Sequence, residues 1–262
     1  MQRIITLTTD FAADSHYVAQ MKASILSINA DAVIVDVTHG IAPQNIAQAA
    51  LVAAEVCPRF PAASIHVIVV DPGVGTARRI VLARIGGHDY VAPDNGLLSF
   101  LKRRLDLEML HEIREPRFWR PEVSATFHGR DIMAPVAAHL SLGVAPDRFG
   151  PPAAALAELD WPTPTIGRRQ IRGQIVLVDY FGNLISNISA DDLRRGLPPG
   201  EPFDVACAGH ATRGPCRTYG DRADGELVAL VGSSGMLEVA VVCGSAAERL
   251  KAVAGEDVLL TW

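Results

Sequence analysis

Ser64-Ile65-His66-Val67-Ile68-Val69-Val70-Asp71-Pro72-Gly73 decides the fold class. Its β-branched run, interrupted only by His66, reads as a strand buried on both faces, as strands of a parallel sheet are. Asp-Pro-Gly then stops it. On the N-terminal side, residues 4–8 read as another strand, Tyr17, Met21, Ile25 and Ile28 recur at helical spacing, and residues 33–37 read as a third strand. Residues 43–56 form an Ala-rich helical stretch with Pro43 near its start. On the C-terminal side, residues 80–85 and 89–91 are strand-like, and residues 97–105 and 132–142 are helical. Strands alternating with helices predict an α/β layer: a mostly parallel sheet with helices on both faces.

After Gly150 the texture changes. Pro151-Pro152 opens an Ala-rich stretch that ends in Trp161-Pro162-Thr163-Pro164, a composition suited to a join between domains. Beyond it, residues 173–179, 203–208, 227–231, 237–243 and 258–261 read as strands separated by Gly turns, with one short helix at 246–253. This predicts a small β-barrel. The expected division is an α/β domain over residues 1–164 and a β-barrel domain over residues 165–262.

Composition sets the outer limits. The 262 residues are 49% hydrophobic and 20% charged, which excludes a disordered chain. A chain this long buries a core without disulfides or metal. The net charge of −5 argues against a protein that wraps nucleic acid. No apolar stretch is long enough to span a bilayer, and the first residues lack a leader pattern, so neither a membrane nor a secretory route is expected. Cys57, Cys207, Cys216 and Cys243 form no CxxC pair, which fits a reducing cytoplasm and no zinc or other metal site.

In parallel sheets ligands gather beyond the carboxyl ends of the strands. Asp10, Asp36 and Asp71 fall at or near such ends. There a carboxylate serves either a ribose diol or a cap or turn. The segment Asp71-Pro72-Gly73-Val74-Gly75-Thr76-Ala77-Arg78-Arg79 holds two glycines that allow close backbone approach to a ligand. Its GxGxxR spacing, with no helical pattern following, argues against a dinucleotide site, and alone it reads equally as a surface hairpin. Thr126-Phe127-His128-Gly129-Arg130-Asp131 places a histidine at a loop-to-helix junction, where it either titrates near neutral pH or simply caps. His39 is a weaker case, His139 reads as structural, and Arg130 with Asp131 reads as a surface ion pair. Pro93-Asp94-Asn95-Gly96 marks a turn. Asp179-Tyr180-Phe181-Gly182-Asn183 offers a Phe to stack on a base and an Asn to read its edge, or a β-turn with a core Phe. Gly232-Ser233-Ser234-Gly235 is a turn rich in hydroxyls and amides, followed by Glu238. The residues alone lead to a two-domain α/β enzyme with a nucleoside-like ligand.

As a set, these segments resemble the S-adenosylmethionine hydroxide adenosyltransferases. The matching pieces are Thr8-Thr9-Asp10-Phe11, Asp36-Val37-Thr38-His39, Val70-Asp71-Pro72-Gly73-Val74-Gly75-Thr76, Pro93-Asp94-Asn95-Gly96, residues 126–131, Phe181-Gly182-Asn183 and residues 244–250, in the family's order. The resemblance implies hydrolysis of S-adenosyl-L-methionine to adenosine and L-methionine, with no cofactor. It also implies a homotrimer whose sites lie between subunits, one lending its first domain and the next its second. The family's water-activating trio maps onto Asp71, Arg78 and His128. Asp10 is expected on the ribose and Asn183 on adenine, with Phe181 stacking. Asn95, Asp179, Ser233 and Glu238 are expected as further substrate contacts.

Related halogenases on the same fold replace the trio, so its retention favours water over chloride or fluoride; a non-catalytic protein that binds adenosine or S-adenosylmethionine is the other alternative. Ala12 stands where the family commonly has Gly, and Met133 where it has Phe. Because a sulfonium leaves as a neutral thioether, no acid is needed, and the difficulty lies in activating water. By ordinary acidity His128, near 6.5, suits proton acceptance better than Asp71, near 3.9.

Overall fold

A computed structural model of the chain describes residues 3–262. Contacts divide it into two units, Met1–Asp160 and Trp161–Trp262. The first contains β1 (Ile4–Thr9), α1 (His16–Leu26), β2 (Val33–Thr38), α2 (Ile46–Val56), β3 (Ile65–Val69), β4 (Ile80–Ile85), β5 (His88–Pro93), α3 (Ser99–Arg104), β6 (Leu107–Glu112) and α4 (Ala134–Ser141). Its sheet runs β2-β1-β3-β5-β4-β6. β2, β1, β3 and β5 are parallel, and β4 runs against both its neighbours. The sheet is therefore mostly parallel, as the alternation of strands and helices predicts.

Packing follows from composition. α1 and α4 cover one face, where Ile5, Leu7, Met21, Ile25, Val67 and Val69 join a common core. α2 lies with α3, and its buried Ala49, Ala50, Ala53 and Ala54 let the helix come close to its neighbours. The helix begins at Ile46, later than the Pro43 start expected. Asn45 caps it by accepting from the Gln48 amide at 2.9 Å, leaving Pro43 and Gln44 in the preceding loop.

The chain leaves β1 for β2 on one side and returns to β3 on the other, a switch in strand order that opens a crevice at the carboxyl ends. Thr9 pairs in register with Val69, so Asp10 and Asp71, just past those positions, emerge at the same edge.

His66 lies on β3 with no solvent exposure, its Nδ1 2.8 Å from Thr6 Oγ1 and its Nε2 3.3 Å from His88 Nδ1. Burial, then the nearby His88, pulls its pKa down to about 3. The unfolded chain therefore binds a proton below about pH 6.5 that the native chain excludes. Stability is expected to fall on acidification from about 6.5 by up to about 1.4 kcal/mol per pH unit from this group. Urea denaturation at pH 7 and pH 5 measures this, and His66→Asn should flatten the dependence.

The second unit contains β7 (Thr165–Gly167), β8 (Gln170–Val178), β9 (Leu184–Ser189), α5 (Ala190–Gly196), β10 (Phe203–Cys207), β11 (His210–Gly214), β12 (Leu227–Val231), β13 (Met236–Val241), α6 (Ala246–Leu250) and β14 (Asp257–Thr261). Antiparallel pairing runs β11-β10-β14-β8-β9-β13-β12, with β7 on β8. Long β8 serves three partners, pairing β14 through residues 170–174, β7 through residues 170–172 and β9 through residues 175–178. The ends nearly close into a barrel through Thr212 Oγ1 donating to the Leu227 carbonyl and Cys216 N donating to Ala229 O. Ile171, Ile188, Val205, Leu237, Val258 and Leu260 fill its interior. Among the described residues, no helix is long and apolar enough to cross a membrane.

Candidate active site

Past β3 the chain turns tightly, with Val74 N donating to Asp71 O and Thr76 N to Gly73 O. Gly75 has φ +78°, and a Cβ there would sit 2.4 Å from the Ala125 carbonyl oxygen. Its close approach is thus to the segment leading into His128 and not to a ligand. Only glycine lets the two loops meet so closely. His128 itself precedes a single π-helical turn, Gly129–Met133, that leads into α4. Such turns recur at functional sites.

This contact assembles the trio. Arg78 Nε lies 2.9 and 3.0 Å from the two Asp71 oxygens, and its Nη2 donates to Asp71 Oδ2 and, at 2.8 Å, to His128 Nδ1. The Asp71 and Arg78 side chains are only 5% and 12% exposed. Arginine has no acceptor, so His128 Nδ1 must accept, and the neutral ring carries its proton on Nε2. Burial and then the Arg78 charge lower the His128 pKa, with Asp71 and Asp131 pulling weakly the other way.

Asp71 and His128 line a cavity of about 420 Å³ together with Asp10, Phe11, Tyr17 and Gln44. Phe11, Tyr17 and Phe127 pack edge-to-face, with ring centroids 5.2 to 5.8 Å apart. Arg78 reaches the cavity only through its bonds to Asp71 and His128 and does not itself line it. Asp10 Oδ2 accepts from the Gln44 amide at 2.8 Å. Asn95 does not line the cavity: its Nδ2 donates to Val70 O at 2.9 Å, bracing the end of β3 beneath Asp71. Asp131 differs from a surface partner for Arg130. It has no exposure, and Arg130 and the Ser124 amide hold it from different sides. His139 packs edge-on against Phe118, a structural place.

Ala12 has φ +66°. The left-handed backbone explains why glycine suits this position, since a Cβ there costs about 1–2 kcal/mol. Ala12→Gly is therefore expected to raise stability by about 0.5 kcal/mol, opposite to the usual sign for Ala→Gly. Thermal unfolding reads the sign directly.

The barrel unit carries a second cavity, of about 750 Å³, lined by Asp179, Phe181, Asn183, Tyr219, Ser233 and Glu238 among others. Asp179 Oδ1 accepts from the Phe181 and Asn183 amides, and Oδ2 accepts from Asn183 Nδ2, all at 2.9 Å. Gly182, at φ +80°, closes this turn where a Cβ would meet Ser245 Oγ at 2.1 Å. Asn183 is buried, while Phe181 is 73% exposed, an aromatic face turned to solvent and not into the core. Tyr219, which no sequence pattern singled out, donates its hydroxyl to buried Glu238 Oε1. Burial and Glu238 raise its pKa, which keeps it a donor. Among the described residues, no Lys, Arg or His lines this cavity.

A mostly parallel α/β unit whose strand-end cavity sets two carboxylates and a histidine among aromatic side chains, and a barrel with a cavity of its own, define a two-domain enzyme acting on a small organic ligand. The N-terminal domain of the SAM hydroxide adenosyltransferases matches residues 5–150, and the C-terminal domain of that family matches residues 173–259. The chain belongs to this family. It is 38% identical to the (R)-S-adenosyl-L-methionine hydrolase of Thermus thermophilus, across 98% of this chain and 99% of that one. The hydrolase of the same name from Salinispora arenicola is 36% identical, across 98% and 97%. A fluorinase from Actinoplanes is 27% identical across 73% of this chain and 74% of its own. The crystal structure of an uncharacterized conserved protein from Thermotoga maritima superposes with a TM-score of 0.91, at 33% identity, covering 99% of this chain and 100% of that one.

Proposed function

We propose that this chain hydrolyses S-adenosyl-L-methionine to adenosine and L-methionine by in-line attack of water on the ribose C5′. The observation that carries the reading is Arg78 bridging Asp71 and His128 at the wall of the strand-end cavity. The full-length relatives are named for the (R) form. With the amino acid already specified as L, that prefix marks the sulfonium, and we extend it to this chain.

The geometry divides the chemistry. His128 Nδ1 accepts from Arg78 and its pKa lies below the ordinary range, so taking a proton there would cost the Arg78 bond and place two cations together. This reverses the preference for His128 drawn from ordinary acidities. The Nε2–H instead donates to the attacking oxygen and orients it. Asp71 is the proton acceptor. Attack of water forms a protonated alcohol as the C–S bond breaks, and that strongly acidic species releases its proton to the carboxylate. Arg78 holds both partners, aiming the Asp71 carboxylate and the His128 Nε2–H at the attacking water.

On the barrel side, a cavity with Asp179 and Glu238 and no basic lining suits a cationic ligand. There Asn183 meets adenine and Phe181 stacks on it, with Ser233, Asp179 and Glu238 toward the amino acid. Asp10 takes the ribose hydroxyls, and Asn95 acts through the β3 end that carries Asp71. The active form is a homotrimer, each site taking its strand-end cavity from one subunit and its barrel cavity from the next. Each cavity alone offers only part of the groups that a ligand with base, sugar and amino acid needs.

The test is incubation with both sulfonium epimers in ¹⁸O-labelled water containing excess chloride. Label in the adenosine 5′-hydroxyl, with the (R) epimer consumed first, is the expected result. Formation of 5′-chloroadenosine, or binding without turnover, would replace the reading by one of its rivals.

A further inference from the structure

The segment Asp36-Val37-Thr38-His39 takes no part in the chemistry above, yet His39 holds the strand-end cavity from behind. His39 is 7% exposed, and its Nδ1 lies 2.9 Å from the hydroxyl of Thr9, which has no exposure. Thr9 Oγ1 in turn accepts from the Phe11 amide at 3.2 Å. The main-chain carbonyl of His39 accepts from Ala12 N at 2.9 Å. One residue thus grips the loop on both sides of Asp10, at Thr9 through its ring and at Ala12 through its backbone.

The tautomer follows from the surroundings. His39 Nε2 faces Asp36 Oδ1 at 3.1 Å, and Lys22 Nζ donates to the other oxygen, Oδ2, at 2.6 Å. The Nε2 contact is close but poorly aligned for a hydrogen bond, and acts as electrostatic support. A lone pair facing a carboxylate would be repelled, so the proton sits on Nε2 and Nδ1 accepts from the Thr9 hydroxyl. Each group in the row Lys22, Asp36, His39, Thr9 and the Phe11 amide then has one defined role. Asp10, between the two grips, is left with one Oδ2 bond to the Gln44 amide and an oxygen for ligand.

We propose that His39 is a positioning residue that fixes Asp10 for the 2′,3′-diol of the substrate ribose. This rests on the reading of Asp10 given above. The test compares S-adenosyl-L-methionine with its 2′,3′-dideoxy analogue in wild type, Asp10→Ala, His39→Ala, His39→Asn and Thr9→Val. His39→Ala is expected to raise KM for the ribose substrate about tenfold, the scale of one lost buried hydrogen bond, with kcat nearly unchanged. For the dideoxy analogue it should leave KM within about twofold of wild type, because that ligand has already lost the diol contact. His39→Asn, whose Oδ1 replaces Nδ1 as acceptor, should restore most of the affinity. Thr9→Val, which keeps the side-chain shape, should reproduce the His39→Ala loss.

If Asp10→Ala leaves the ribose-to-dideoxy ratio untouched, the ribose role of Asp10 is wrong. If Asp10→Ala collapses that ratio while His39→Ala and Thr9→Val weaken both substrates equally, or neither, the positioning role of His39 is overturned.

Discussion

Arg78→Ala is expected to lower kcat by about three orders of magnitude while KM stays within a few-fold, because loss of one preorganised donor at a reacting centre already costs about 10²–10³ in kcat and Arg78 places both Asp71 and His128. Arg78 does more than one such donor. It saturates one side of Asp71 and fixes the His128 tautomer through Nη2. None of these acts on the bound adenine, so affinity is spared. Arg78→Lys should rescue little, since a point charge on a flexible stem cannot fork to two acceptors. The pH profile gives a signature that misfolding would not. Burial first, and then Arg78, hold the His128 pKa down. Without the guanidinium, burial still lowers the His128 pKa but the neighbouring cation is gone, so the acid limb of the residual activity should move to higher pH. In wild type that acid limb should lie lower. Wild-type turnover in Arg78→Ala, with the same acid limb, would sink the assignment.

How far such a site can be read from sequence depends on which rule each segment obeys. β3 is a continuous β-branched run and was legible at once, as was the Asp that ends it. β6 was not. Leu-Glu-Met-Leu-His-Glu puts neither face wholly apolar, and as the last strand of its sheet it pairs β4 on one side and only the short segment at residues 151–153 on the other. β9 was hidden by Ser186 and Asn187, which the barrel buries because Leu237 O, Gln174 N and Pro162 O take their hydrogen bonds. The Ser189 and Asp192 capping box that opens α5 was a readable signal. In the candidate site, the residue types of the trio were legible in their motifs, but not their order of contact. That Arg78 stands between Asp71 and His128, and so fixes which nitrogen carries the proton, depends on two loops packing at Gly75 and Ala125. No local pattern encodes it. Tyr219 was invisible for the same reason, because only the barrel brings it to Glu238.

Asp179→Ala should raise KM by about two orders of magnitude and affect kcat much less. Its carboxylate makes three hydrogen bonds inside its own turn, two to backbone amides and one to the buried Asn183 amide group. Losing a buried hydrogen bond to a charged group costs about 1.5–3 kcal/mol, and here Asn183 and Phe181 lose their placement together. Asn183→Ala, which removes one reader and leaves the turn, should cost only about tenfold. Equal KM values for the two variants would deny Asp179 its organising role. Asp179→Ala also completes a test of the shared site when combined with Arg78→Ala. Assayed at substrate far below the KM of Asp179→Ala, the first variant is silenced at its barrel cavity and the second at its trio. In a cyclic trimer that draws each site from two subunits, co-expressing them in equal amounts regenerates about a quarter of the sites, since an intact trio must meet an intact barrel across an interface. Activity near that fraction of wild type is the expected result. If each chain instead built its site from its own two units, every site in the mixture would carry one of the lesions, and activity would stay at the level of the single variants.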